Sequence, residues 1–174
     1  MTIRNALLAA GSIVALSALA GSALASGSVQ TTANASVTVV SPTTLTKTQD
    51  MAFGTVTRPS SGSNTVQLAA ADGTVTIASG GTGDAALVSS PTSAAKFNLV
   101  TVAAITYTTT QSLTFAQAGL TNISATTPVA STGTLGTVPA NGTQQLSFGG
   151  QFDISSTTTA QPYTGTLTVT VNYN

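Results

Sequence analysis

The chain has 174 residues, enough for one domain or at most two small ones, and only four basic and four acidic side chains. It has no Glu, His, Cys or Trp, while Thr and Ser make up about a third of it. That excludes a helical domain built on charged helix formers, a disulfide framework and a zinc site, and it favours β-structure.

In chain order, the start reads as a secretory signal over residues 1–25. Arg4 supplies the positive region, "ALLAAGSIVALSALA" the apolar stretch, and Ala23-Leu24-Ala25 a small-x-small cleavage site. The apolar stretch is short and broken by Gly and Ser, so no transmembrane span is expected after cleavage. Ser26 to Asn174 would hold three basic and four acidic residues. A net charge near −1 offers no footprint for nucleic acid or anionic membranes. Secretion permits disulfides, but without Cys the fold must rest on burial and strand pairing.

Residues 26–40 form an extension whose alternation predicts a strand. Val29, Ala33, Ala35, Val37 and Val39 share one face with Thr31, and Gln30, Thr32, Asn34, Ser36 and Thr38 the other. Ser41-Pro42 ends it, and residues 41–174 form the main domain. There "LTKTQDMAFGTV" offers Met51, Phe53 and Val56 as inward residues. "TVQLAA" and "TVTIA" read as strands using Val66, Leu68, Val75 and Ile77, joined through an Asp72-Gly73 turn. "SGGTGD" reads as a flexible loop.

"AKFNLVTV" aligns Phe97, Leu99 and Thr101, and "SLTFA" aligns Leu113 and Phe115. "LTNIS" is short and ambiguous, and "GTLGTVPANGT" reads as a loop with an Asn141-Gly142 turn. In "QQLSFGGQFDIS", Leu146 and Phe148 share a face, Gly149-Gly150 predicts a bulge, and Phe152 and Ile154 resume the alternation. The closing "YTGTLTVTVNYN" puts Leu167, Val169, Val171 and Tyr173 on one face. Short strands separated by turn signals predict an all-β, antiparallel sandwich of immunoglobulin-like type.

Catalysis is poorly provisioned: no His, no Glu, and Asp residues scattered at 50, 72, 84 and 153. No catalytic residue, metal ligand or cofactor is expected. Lys47 and Asp50 stand three apart, where a loop leading into a strand is a better reading than an intramolecular crosslink. Three matches to the N-glycosylation sequon, at Asn34, Asn122 and Asn141, carry little weight in a chain this rich in Ser and Thr.

Both ends of the processed chain are thus amphipathic strands, and an apolar strand face must be buried either in its own sandwich or in a neighbour's. Donation to a neighbour is head-to-tail and gives a fibre.

The pieces "NASVTVVSPTTLTKTQDMAFGTV", "AKFNL", "LSFGGQFDI" and "YTGTLTVTVNYN" resemble an uncharacterised family of secreted bacterial domains of unknown function. That family in turn resembles chaperone–usher fimbrial subunits and the pilin-like spore coat proteins of the coat protein U type. The resemblance implies a pilin-like sandwich assembled by donor-strand exchange. Val29, Ala33, Ala35, Val37 and Val39 would be the donor face. Leu167, Val169, Val171 and Tyr173 would line the receiving groove as an edge strand, first capped by a periplasmic chaperone and delivered through an outer-membrane usher. The expected product is a secreted, cell-surface homopolymer. The alternatives are a self-contained surface or coat sandwich and a carbohydrate-binding or adhesive module.

Overall fold

The computed structural model describes residues 28–39, 42–131 and 133–174. The signal-peptide reading of residues 1–25 lies outside the described residues, as does Val40. The chain divides into two units, residues 1–37 and 38–174. Of the first unit, residues 28–37 are described; they are exposed and belong to no strand. The strand expected from their alternation is therefore not formed here. Period two states which face a strand would bury, but a strand exists only where a partner takes up its backbone hydrogen bonds.

Among the described residues, the second unit is built from thirteen strands. They are β1 (Thr44–Gln49), β2 (Thr55–Val56), β3 (Ser63–Leu68), β4 (Val75–Ile77), β5 (Leu87–Val88), β6 (Ala95–Val100) and β7 (Ile105–Phe115). There follow β8 (Thr121–Ala125), β9 (Val129–Ala130), β10 (Thr137–Val138), β11 (Thr143–Phe148), β12 (Gly150–Ser155) and β13 (Gly165–Tyr173). No helix occurs among the described residues, so none could cross a membrane. All the strand pairings are antiparallel, in the orders β1-β6-β11-β9, β10-β7-β13, β4-β3-β12-β8 and β2-β5. The fold is an all-β antiparallel sandwich.

Two apolar clusters hold it together. In the first, Leu99, Leu146 and Phe148 of one sheet pack with Ile105, Tyr107 and Val138 of the facing sheet. Phe97 meets Phe148 edge-on, with ring centroids 5.6 Å apart and planes at 89°. In the second, Val66, Leu68, Val75, Phe152 and Ile154 gather Phe53, Phe115, Leu120 and Ile123 against them. Gly149 joins the two. It separates β11 from β12, and the chain passes there from one four-stranded sheet to another. The bulge read at Gly149-Gly150 is this crossing. A Cβ at Gly149 would lie 2.1 Å from the Leu68 carbonyl oxygen, so only glycine fits.

Other readings need correction. "SGGTGD" is tied down: Thr82 and Gly83 donate their N–H groups to the Ser63 carbonyl, and Asp84 accepts from the Ser60 N–H and hydroxyl at 2.5 and 2.7 Å. "GTLGTVPANGT" contains β10, whose Val138 is fully buried. β7 runs eleven residues, twice the length read from "SLTFA".

Two expectations follow. Replacing Gly149 by Ala should cost about 1–3 kcal/mol in denaturant unfolding, because the crossing cannot widen without disturbing both sheets. The second concerns Asp84. Its hydrogen bonds from Ser60, the side-chain hydroxyl first and the backbone N–H second, hold its pKa below the ordinary carboxylate value. A depressed folded-state pKa contributes stability above the unfolded Asp value of about 3.9, and that contribution is lost as pH falls through the lower folded value. Thermal melts between about pH 2 and pH 5 should therefore show a shallower acid limb for Asp84→Asn than for the parent.

Candidate functional site

Sheet order leaves β1 at one edge of its four-stranded sheet and β13 at one edge of the three-stranded sheet. Among the described residues each has one paired side only: β1 pairs with β6, and β13 pairs with β7 along its whole length, from Gly165 opposite Phe115 to Tyr173 opposite Tyr107. The two edges border one cleft of about 1090 Å³, with Lys47 and Gln49 of β1 on one wall and Gly165, Thr166 and Leu167 of β13 on the other.

The floor is aromatic. Met51, Phe53, Phe97, Leu113, Phe115 and Phe152 line it. Phe53, Phe115 and Phe152 form a mutually tilted triplet, with centroids 5.0 to 6.2 Å apart. Phe53, Phe97 and Phe115 are only partly buried, whereas Phe148 in the first cluster is completely enclosed. At one end the cleft meets the 158–163 loop, where Arg58 Nη1 donates to the Thr158 carbonyl at 3.2 Å and the Tyr163 hydroxyl donates to the Thr159 carbonyl at 2.9 Å. Lys47 and Asp50 form an exposed ion pair at 2.5 Å, and pairs of this kind add little stability.

Strand directions follow from the pairing. β1 is antiparallel to β6 and β6 to β11, so β1 and β11 share a direction. The Tyr107 hydroxyl of β7 donates to Gln144 near the start of β11, and the Leu113 side chain lies beside Gly150 just beyond its end, so β7 runs the same way. β13 is antiparallel to β7 and therefore to β1. A strand lying between the two edges would be parallel to one and antiparallel to the other.

Of the predicted groove residues Leu167 lines the cleft, whereas Val169, Val171 and Tyr173 do not. Leu167, Val169 and Val171 are half-buried and pack against the first cluster, and Tyr173 is 50 % exposed. The predicted edge position of this strand agrees with the sheet order. Val29, Val37 and Val39 are 99, 86 and 88 % exposed, and Ala33 and Ala35 are exposed as well. The opposite wall from β1 and the aromatic floor were not assigned to the site from the sequence. Their signal was the run Met51-Ala52-Phe53, an apolar patch just past a strand whose last residues, Lys47, Thr48 and Gln49, are polar and exposed.

Burial also marks Tyr107. Its enclosed hydroxyl has a pKa pushed above the ordinary tyrosine value by desolvation. The neutral phenol donates to Gln144, whose Nε2 donates in turn to the Thr134 carbonyl at 2.8 Å, fixing the end of the sandwich away from the aromatic floor.

Partial exposure makes the floor aromatics less valuable to the isolated domain than an enclosed one. Phe148→Ala should cost about 3–5 kcal/mol in denaturant unfolding, and Phe115→Ala about half as much.

No curated protein and no solved structure matches the chain. Residues 43–173, the sandwich itself, match DUF4402, a domain of unknown function. The chain belongs to the DUF4402 family.

Proposed function

We propose that this protein is a secreted, non-enzymatic structural subunit of an extracellular fibre, in which residues 29–39 of one copy complete the sandwich of the next. The observation that carries the reading is the cleft: two unpaired strand edges facing each other across a partly exposed aromatic floor. Such edges invite strand addition, because their free N–H and carbonyl groups form a ready template. The same chain carries a fitting strand. Residues 29–39 hold no charge, alternate with period two, and leave their valines in solvent.

The energetics are consistent with addition. A strand of this length forms about ten backbone hydrogen bonds worth roughly 0.5–1.5 kcal/mol each, and each valine adds about 1.5 kcal/mol or more on burial. Ordering the segment costs roughly 1–2 kcal/mol per residue and offsets most of this gain. What tips the balance is on the acceptor side, where partly exposed phenylalanines leave water at the same time.

Donation between copies is heterologous, so it propagates rather than closes. On this reading Val29, Ala33, Ala35, Val37 and Val39 are the donor face, and Leu167, Val169, Val171 and Tyr173 belong to the receiving edge. Export through the periplasm would hold such a subunit with an open cleft, which calls for a chaperone to cover it and an usher to release it. A pilin-like, immunoglobulin-like topology fits the same account.

Electron microscopy of the purified full-length chain should show unbranched filaments. The Val37→Asp/Val39→Asp variant should remain folded by circular dichroism and form none, because a buried unpaired carboxylate is prohibitive. Filaments that persist in this variant, or a parent that stays monomeric at every concentration, would overturn the proposal.

A further inference from the structure

A strand that fills the cleft can come from the same copy or from another, and only the second arrangement gives a fibre. Residues 29–39 directly precede β1, with residues 40–43 between them. Any turn back must lie within that joint, because Thr44 already pairs with Val100 and the Thr43 hydroxyl donates to the Thr101 hydroxyl at 3.3 Å. So short a connection cannot join parallel neighbours, which need a crossover of a dozen or more residues. A segment entering its own cleft beside β1 must therefore form an antiparallel hairpin with β1.

The faces of the two segments restrict that hairpin. Leu45 is the β1 residue that packs on the first cluster. Residues directly opposite in an antiparallel pair share a face. A two-residue loop sets odd-numbered residues opposite even-numbered ones, so Leu45 would stand against Thr38 or Val40. Gln30, Thr32, Asn34 and Ser36 would then turn inward, and Val29, Ala33, Ala35, Val37 and Val39 would face water. A four-residue loop makes the same exchange of faces, and a five-residue loop takes Val39 out of the strand.

Only a three-residue loop keeps the whole apolar face inward, with Val39 opposite Leu45. Such a loop is a type I turn followed by a residue in the left-handed region. In Ser41-Pro42-Thr43, Pro42 would take the third position of the turn, where it forces Ser41 out of the helical region. Thr43 would take the left-handed position, which a β-branched residue avoids. Moving the loop back by one residue would put Pro42 itself in the left-handed region, which its ring forbids. Elsewhere the chain meets this demand with two residue types. Every positive φ among the described residues falls on Gly or Asn, as at Gly73 and Asn141. Between Asn34 and Gly54 there is neither.

Taking strand donation as given, we infer that Pro42 and Thr43 bar the leading segment from the cleft of its own copy and so commit it to the cleft of a second copy. The bar matters because a tethered segment acts at a high effective concentration, and closure within one copy would otherwise outcompete donation. It lets one chain carry both the donor strand and the open cleft without capping itself.

Pro42→Ala/Thr43→Gly supplies the missing loop: alanine accepts the helical region, and glycine the left-handed one. The chain has no cysteine, so Thr38→Cys and Thr46→Cys, which that loop would place opposite each other on the polar face, report closure within one copy. Full-length chains are compared by light scattering, electron microscopy and non-reducing electrophoresis. The double variant should hold roughly tenfold less polymer than the parent, since each misplaced residue costs about that factor. With the cysteine pair added, it should form the intramolecular disulfide roughly tenfold faster than the parent carrying the same pair. Thr43→Gly alone keeps Pro42 and should still give filaments. Undiminished filaments in the double variant, filaments lost without the intramolecular disulfide, or a disulfide equally fast in the parent would overturn the bar and leave strand donation standing. A parent that forms no filaments at any concentration would overturn strand donation and the bar with it.

Discussion

Two β-edges with nothing paired against them among the described residues, β1 and β13, set the character of this protein. Backbone N–H and carbonyl groups at such an edge keep their hydrogen-bonding capacity, and here both edges rim an apolar cleft. The rest of the sandwich closes well: Val66, Leu146 and Phe148 are wholly buried, and β7 pairs with β13 over nine residues. The incompleteness is local. It lies where Phe53, Phe97 and Phe115 are left partly in water.

Without cysteine and with few charges, the fold has only burial and strand pairing to rely on, and it uses both in two linked clusters. Gly149 lets the backbone of β11 cross against Leu68 and re-emerge as β12, so one continuous stretch of chain serves both clusters. Side-chain hydrogen bonds tie down loops, as with Asp84 on Ser60 and Asp72 on the Thr74 N–H, and link neighbouring strands, as with Asp153 on Thr65 and Asn122. The scarce carboxylates therefore act as loop and strand anchors.

Much of the sandwich was legible because its strands alternate. Val66, Leu68, Leu99, Leu146, Phe148, Phe152 and Ile154 were each placed inward from period two, and each is buried. β7 was half missed because Thr109 and Gln111 occupy inward positions, which breaks the apolar signal while the strand continues. The two-residue strands β2, β5, β9 and β10 are too short for any period to register; pairing partners alone define them. Of the β13 wall, Leu167 was placed on an edge strand from its alternation. The β1 wall was not, since whether a strand lies at an edge depends on sheet order, a property that no local pattern encodes. Residues 28–39 show the converse: a clear β pattern with no strand formed. Period two records what a segment can bury, and the partner decides whether it does.

Amide hydrogen exchange along β13 tests the central claim most directly, read on the full-length chain from dilute to concentrated solution. If another copy's leading segment completes the edge, the β13 amides turned away from β7 should exchange fast when dilute and become protected as concentration rises, together with those of residues 29–39. Protection in both segments that is already complete at the lowest concentration, or absent at the highest, would contradict it.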